Sequence, residues 1–307
     1  MLPGMHGDHG HSHDHAPESL GWRFGIATAL NMALVLGQIW YGFAANSLAL
    51  LADAGHNFGD VLGLVMAWAA FALADWQPSK RFTYRMHAAS ILAAFANGLL
   101  LLAAIGAIAY EATQRLIHPQ PVATIDVIIV AALAIFVNGL SAWLLSGGSR
   151  SDINTRGAFL HMLADAGVSA AVVLAAVGIT FTGWDWLDPA ASLLISIVIL
   201  WGTWKLLREA TRLSLNAAPD TIDPRAVGDY LAGLPEVASV HDLHIWAMST
   251  RETALTCHLV TPSGHPGDAF LRRVAHDLQH EFDIDHSTLQ IELADGGECP
   301  LRCEQRV

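Results

Sequence analysis

His56 and Asp60 stand four residues apart inside one long apolar stretch, and His161 and Asp165 stand four apart inside another. On a helix, an offset of four puts two side chains on one face about a turn apart, so each H-x-x-x-D is a ready-made pair of nitrogen and oxygen donors. Two such pairs facing each other supply four ligands. Imidazole and carboxylate in a four-ligand set suit tetrahedral Zn²⁺ and also accept Cd²⁺ or Co²⁺. Mg²⁺ and Ca²⁺ want mostly oxygen in larger shells. The competing reading is that each His bonds its own Asp, or a neighbouring helix, as packing glue. One spacing recurring in one order, in two separate stretches, weighs against it. Asp53 lies three residues before His56 and shares its stripe, which makes it an adjacent candidate ligand.

Those donors need elements that tolerate them. An aspartate at mid-bilayer depth costs about 2.5–3.5 kcal/mol, so such a stripe must face a partner or a watery cavity. The chain is 53% hydrophobic and only 14% charged, against roughly 25% charged in an average soluble domain. Its mean hydropathy is +0.40. Six stretches are apolar over the ~20 residues a bilayer requires: 22–44, 48–74, 88–110, 122–146, 157–181 and 187–207. The expected fold is therefore an α-helical polytopic membrane protein of six transmembrane helices, followed by a soluble domain where charge returns. The expected boundaries are a His-rich tail over 1–21, a transport domain over 22–207, a cytosolic domain over 208–293 and a Cys-containing tail over 294–307.

Connections rich in positive charge (Lys80, Arg81 and Arg85; Arg150 and Arg156) alternate with connections poor in it, so the positive-inside rule places both termini in the cytoplasm. Asp188-Pro189 reads as a cap and first-turn proline that start the sixth span. Asn31, Gln38, Asn57, Asn97 and Asn138 are polar groups within the spans, able to bond ligands or simply to hold helices together. The polar first 20 residues do not read as a cleavable signal peptide.

The soluble region reads as a small α/β module in the order helix (222–233), strand (237–246), strand (253–260), helix (267–283), strand (286–293). It offers the candidate ligands His241, His244, His258, Glu292, Cys299 and Cys303. The last two are spaced by three residues rather than the commoner two. His265, His276, His280 and His286 read as solvated surface residues. All three cysteines, Cys257 included, fall in this region, which implies reduced, metal-capable thiols rather than a disulfide framework. At the other end, His6, His9, His11, His13 and His15 sit among Gly, Ser and Asp, a composition that buries no core and reads as a disordered metal collector.

Several stretches carry a resemblance. Ser47-Leu-Ala-Leu-Leu-Ala-Asp53-Ala-Gly-His56-Asn-Phe-Gly-Asp60 closely resembles the second span of the cation diffusion facilitator family, in particular its bacterial zinc, cadmium and cobalt exporters. Arg81-Phe-Thr-Tyr-Arg-Met-His87 with Asn97, His161-Met-Leu-Ala-Asp165, Asp188-Pro189 and Val240-His-Asp-Leu-His-Ile-Trp246 resemble later family segments in the same order. One departure is visible. Where the family pattern at the third span reads Tyr-Gly-x-His-Arg-Ala-Glu, this chain has Arg85-Met-His87-Ala-Ala-Ser90.

The resemblance implies a ferredoxin-like, metallochaperone-like cytosolic domain and a homodimer that pairs through its cytosolic and membrane domains. It also implies Zn²⁺ as cargo and as an ion held by the cytosolic domain, and a multi-pass location in a bacterial inner membrane. The implied activity is proton-coupled export of Zn²⁺, or of Cd²⁺ or Co²⁺, through His56, Asp60, His161 and Asp165. Imidazole ordinarily titrates near pH 6.5, so protons entering from an acidic outer face can displace a cation loaded at cytoplasmic pH.

Other classes fit less well. The net charge of −12 argues against a nucleic-acid partner. A membrane metallohydrolase needs an open metal position and a general base, and H-E-x-x-H is absent. A channel needs weak ligands that release ions quickly, unlike a four-ligand cage. A sensor that moves no ion is the nearest rival, and only flux separates it from a transporter.

Overall fold

In the computed structural model, residues 18–74, 80–84, 86–146 and 153–293 are described. Six long helices lead the chain: α1 (Glu18–Ala44), α2 (Leu48–Ala74), α3 (Ala89–Ile117), α4 (Thr124–Ser146), α5 (Ile153–Thr182) and α6 (Leu187–Ser214). Then follow α7 (Pro224–Ala232), β1 (Ser239–Ala247), β2 (Thr253–Thr261), α8 (Asp268–Phe282) and β3 (His286–Leu293). Among the described residues, four helical stretches are long and apolar enough to cross a membrane: Ala89–Ile117, Thr124–Trp143, Phe159–Thr182 and Leu187–Ser214. Ala29–Ala44 is a shorter apolar run. The class is a helical membrane bundle with a C-terminal α/β domain.

Two helices run seven residues past the C-terminal ends of the spans read from hydropathy, and α1 and α5 begin four residues before theirs. α3 continues to Ile117, where Arg115 bonds Glu111 at 2.9 Å and the Asn46 carbonyl at 2.8 Å. α6 continues to Ser214 through Lys205, Arg208, Glu209 and Arg212. A helix propagates for as long as its backbone bonds close, whereas hydropathy reports only the part that suits lipid.

The chain divides into two compact units. The first gathers residues up to Val61 with Ile108–Ile195. Here α4 packs along α5, and α1 along α4. The buried surface is rich in small residues (Ala45, Ala49, Ala52, Ala54, Ala131, Ala134, Ala176), which let helices approach closely without a water-driven hydrophobic effect. Large apolar side chains such as Trp40, Phe43, Phe136, Trp143 and Phe181 point outward instead, as lipid-facing surface requires. The α1–α2 corner is tight: Asn46 is left-handed at φ 55, and a Cβ at Gly42 would lie 2.6 Å from the Leu51 side chain.

Asp188 is used differently from its sequence reading. Its carboxylate accepts from Leu48 N at 2.7 Å, Ala49 N at 3.3 Å and Ser47 Oγ at 2.5 Å, so it caps α2 from across the bundle rather than its own helix. The free N–H groups at the start of α2 attract a carboxylate wherever it comes from in sequence. Ser47 adds the local cap, accepting from Leu50 N at 3.2 Å.

The second unit gathers Leu62–Ala107 with Ser196 onward. Asn97 lies where a Cβ on Gly63 would come within 3.1 Å of its amide nitrogen, so glycine makes room for it on α2. β1 and β2 pair antiparallel and β2 and β3 pair parallel, in the order β1-β2-β3. The order and type of all five elements agree with the sequence reading. Leu255, Cys257 and Leu259 of β2 face the core formed with Val227, Leu231, Phe270, Val274 and Leu278 of the two helices. Strand alternation therefore turns His258 to the other face. The β1–β2 turn also meets the start of α3: His87 Nδ1 bonds the Glu252 carboxylate, and Thr250 N donates to Ser90 Oγ at 3.1 Å.

Candidate metal centre

The two H-x-x-x-D pairs meet. His56 Nε2 lies 3.1 Å from Asp165 Oδ1 and 3.9 Å from Asp60 Oδ2; His161 Nε2 lies 3.2 Å from Asp60 Oδ2 and 3.7 Å from Asp165 Oδ2. The donors alternate nitrogen, oxygen, nitrogen, oxygen around a ring, with each histidine nearer to the other helix's aspartate than to its own. A tetrahedron with metal–ligand bonds of about 2.0–2.1 Å has donor–donor edges of about 3.3–3.4 Å. The four contacts run on both sides of that length, with Asp165 reaching His56 through Oδ1 and His161 through Oδ2. Within the ring, His56, Asp60 and Asp165 form the compact trio of donors and His161 stands outside that trio; the two imidazole rings meet edge-on with centroids 6.0 Å apart.

Asp53 makes its hydrogen bonds outside the ring and is not one of the compact trio. Its Oδ2 accepts from Gln38 Nε2 at 2.6 Å and from Ser169 Oγ at 2.8 Å, and Gln38 Oε1 accepts from Asn57 Nδ2 at 3.2 Å. Of the other polar groups, Asn31 points its amide at Met162 Sδ, 4.0 Å away, and Asn138 is buried. Ser169 escaped the sequence reading, although it stands four residues after Asp165 and so had to share its face.

In the cytosolic region His241, His258 and Glu292 form a second compact trio. Glu292 lies 2.8 Å from His258 Nδ1 through Oε1 and 3.3 Å from His241 Nε2 through Oε2. Strand register brings them together: His241 sits opposite His258, His258 opposite Gln290, and Glu292 two residues farther along the same face of β3. A bulge follows, with Asp242 left-handed at φ 52. It turns Asp242 to within 3.6 Å of His258 Nε2 and 3.0 Å of His244 Nε2. His244 bonds Asp242 and lies outside the trio. Asp242 was missed by sequence reading, because alternation predicts no carboxylate on that face.

Cys257 is corrected to a core residue. It is buried on the helix-facing side of β2, where burial pushes its thiol pKa up to about 12, which suits packing and not ligation. Cys299, Cys303 and the histidines His6, His9, His11, His13 and His15 lie outside the described residues.

A family model for the cation efflux transmembrane domain matches residues 25–213, and one for the cation efflux protein cytoplasmic domain matches 219–294. The chain belongs to the cation diffusion facilitator family. Its relatives in that family include the metal cation efflux system protein CzcD of Cupriavidus metallidurans, 37% identical over 286 residues, which are 93% of this chain and 90% of that protein. The cadmium, cobalt and zinc/H⁺-K⁺ antiporter of Bacillus subtilis is 36% identical over 256 residues, 82% of each chain. The zinc transporter ZitB of Escherichia coli is 34% identical over 302 residues, 95% of each. A solved metal-bound C-terminal domain of the CzcD transporter from C. metallidurans is 36% identical, covering 24% of this chain and all of that one at a TM-score of 0.22. As a cation diffusion facilitator the chain is a membrane transporter and not an enzyme, and the ring lies between two helices of its transmembrane domain.

Proposed function

We propose that this protein exports Zn²⁺, with Cd²⁺ or Co²⁺ as further substrates, in exchange for protons, through His56, Asp60, His161 and Asp165. The observation that carries the reading is the alternating ring of two imidazoles and two carboxylates, with contacts of 3.1 and 3.2 Å from α2 to α5 and of 3.9 and 3.7 Å within each helix. Relatives whose names give zinc, or cadmium, cobalt and zinc, as cargo support the same ion class. Ring geometry also supports the exchange. Each imidazole must shed its proton to bind a cation, so one set of donors holds either metal or protons. An alternating bundle then exposes that set to each side in turn.

The cytosolic trio of His241, His258 and Glu292 holds a further ion, and Cys299 and Cys303 are candidate contributors to it. His6, His9, His11, His13 and His15 gather cations ahead of the first span. The protein works as a homodimer paired through its cytosolic and membrane domains, in a bacterial inner membrane with both termini cytoplasmic. Its counter-ion is the proton.

Purified protein in liposomes tests the central claim. An imposed pH gradient drives Zn²⁺ movement, and Asp165→Ala lowers it by about two orders of magnitude. Zn²⁺ movement indifferent to the gradient, or an Asp165→Ala protein as active as its parent, ends the reading.

A further inference from the structure

The ring is open on one side and closed on the other. Along α2, exposure climbs from 0% at Asp53 to 22% at the His56 side chain and 37% at Asp60. Along α5, which runs the opposite way, it climbs from 0% at Ser169 through 2% at Asp165 to 43% at His161. Antiparallel helices with opposite gradients have their closed ends together. That closed end is the N-terminal end of α2, where Asp188 at the start of α6 meets Leu48 and Ser47. α6 starts at this end, and with both termini cytoplasmic, as proposed, the sixth span starts on the outer face, so the closed side of the ring is the outer one.

What closes it is the network around Asp53. We propose that Gln38, Asp53 and Ser169, joined by Asn57, are the outer seal of the transport site: a buried hydrogen-bonded plug that ties α1, α2 and α5 together and must part before an ion leaves on the far side. Three features support this. A single carboxylate oxygen, Asp53 Oδ2, draws donors from both neighbouring helices, from Gln38 at 2.6 Å and from Ser169 at 2.8 Å. Its other oxygen, Oδ1, is buried with no hydrogen-bond partner among the described residues. The plug is thus held but incompletely satisfied, which suits a contact that has to be broken in every cycle. The network is also stacked directly on the ring: Asp53 is three residues from His56, Asn57 is next to His56, and Ser169 is four residues from Asp165. Movement of the ligands on α2 and α5 is therefore transmitted to the seal within one helical turn. Asp53 is in this view a positioning residue, not a ligand. The inference rests on the ring being the transport site.

A reporter thiol tests it. Val172 is fully buried and stands on the Asp165–Ser169 stripe of α5, one turn beyond the seal. In full-length protein lacking its own thiols (Cys257→Ala, Cys299→Ser, Cys303→Ser) and carrying Val172→Cys, a membrane-impermeant maleimide added on the far side reacts slowly. Asp53→Ala raises the rate at least about tenfold by shifting the population toward the open state. Ser169→Ala, a milder change that keeps the carboxylate, raises it less. Asp53→Asn, whose amide oxygen still accepts from Gln38 and Ser169, stays within about twofold of the parent. Equal labelling in the parent and both alanine variants overturns the seal, as does an Asn variant that labels like the Ala variant.

Counting bound Zn²⁺ in the same proteins separates the two readings. An Asp53→Ala protein that loses the ion lost in Asp165→Ala makes Asp53 a ligand and overturns the seal. An Asp165→Ala protein that keeps every ion overturns the transport-site reading while the labelling result still stands on its own.

Discussion

Each aspartate of the ring lies between two imidazoles, and each histidine is closer to the other helix's carboxylate: 3.1 Å against 3.9 Å for His56, and 3.2 Å against 3.7 Å for His161. Cross-helix pairing of this kind makes the four groups one unit, so removing one donor costs more than a quarter of the binding. Cys257 shows the opposite case, a chemically capable residue removed from chemistry by burial. Its folded pKa is raised to about 12, against an ordinary value of about 8.5. The sign follows directly. Below about pH 8.5 the thiol is neutral in both states and costs nothing; as pH rises toward 12 the unfolded chain ionises while the folded one resists, and stability falls. In a Cys299→Ser, Cys303→Ser background, iodoacetamide at pH 8.5 is therefore expected to leave Cys257 unmodified until denaturant is added. Modification of the folded protein at the unfolded rate contradicts its place in the core.

At the scale of elements, α2 is fixed at both ends of its working stretch. Its start is held by Ser47 and by the carboxylate of Asp188, and one turn farther in Asp53 ties it to α1 and α5. A bilayer offers no water to substitute for a lost partner, so each orphaned donor carries its full cost. Asp188→Ala leaves Ser47 Oγ, Leu48 N and Ala49 N without their acceptor, and is expected to cost about 2–4 kcal/mol. The reading is a clear fall in the temperature of irreversible inactivation in detergent, with Asp188→Asn recovering part of it. An Asp188→Ala protein as heat-resistant as its parent shows that α2 does not need this cap.

For the whole molecule, the proposal is two kinds of metal position in one chain: a ring between membrane helices for cargo and a trio on a β-sheet for a resident ion. They are expected to titrate separately. Equilibrium binding to the parent should exceed the count in a His241→Ala, His258→Ala protein by one ion per chain, and the count in a His161→Ala, Asp165→Ala protein by one different ion. Only the second pair should abolish transport outright. Loss of both ions from either double variant means the positions are not independent.

Period, spacing and composition were enough to read the six helices, the five elements of the cytosolic domain and the pairs His56/Asp60 and His161/Asp165, because helical offsets of four and strand alternation are local rules. Hydropathy could not say where α3 and α6 stop, since helix propagation outlasts the apolar run. Sequence alone also misassigned Asp188, which looked like the cap of its own helix, and missed Ser169 and Asp242. Those roles were decided by packing: a carboxylate satisfies whichever N–H groups tertiary contact brings near, and a β-bulge can turn a side chain to the face that alternation denies it. Which donors a helix carries is written in the chain; which of them face one another, and which side of the ring stays closed, depends on α1, α2 and α5 sharing one buried space.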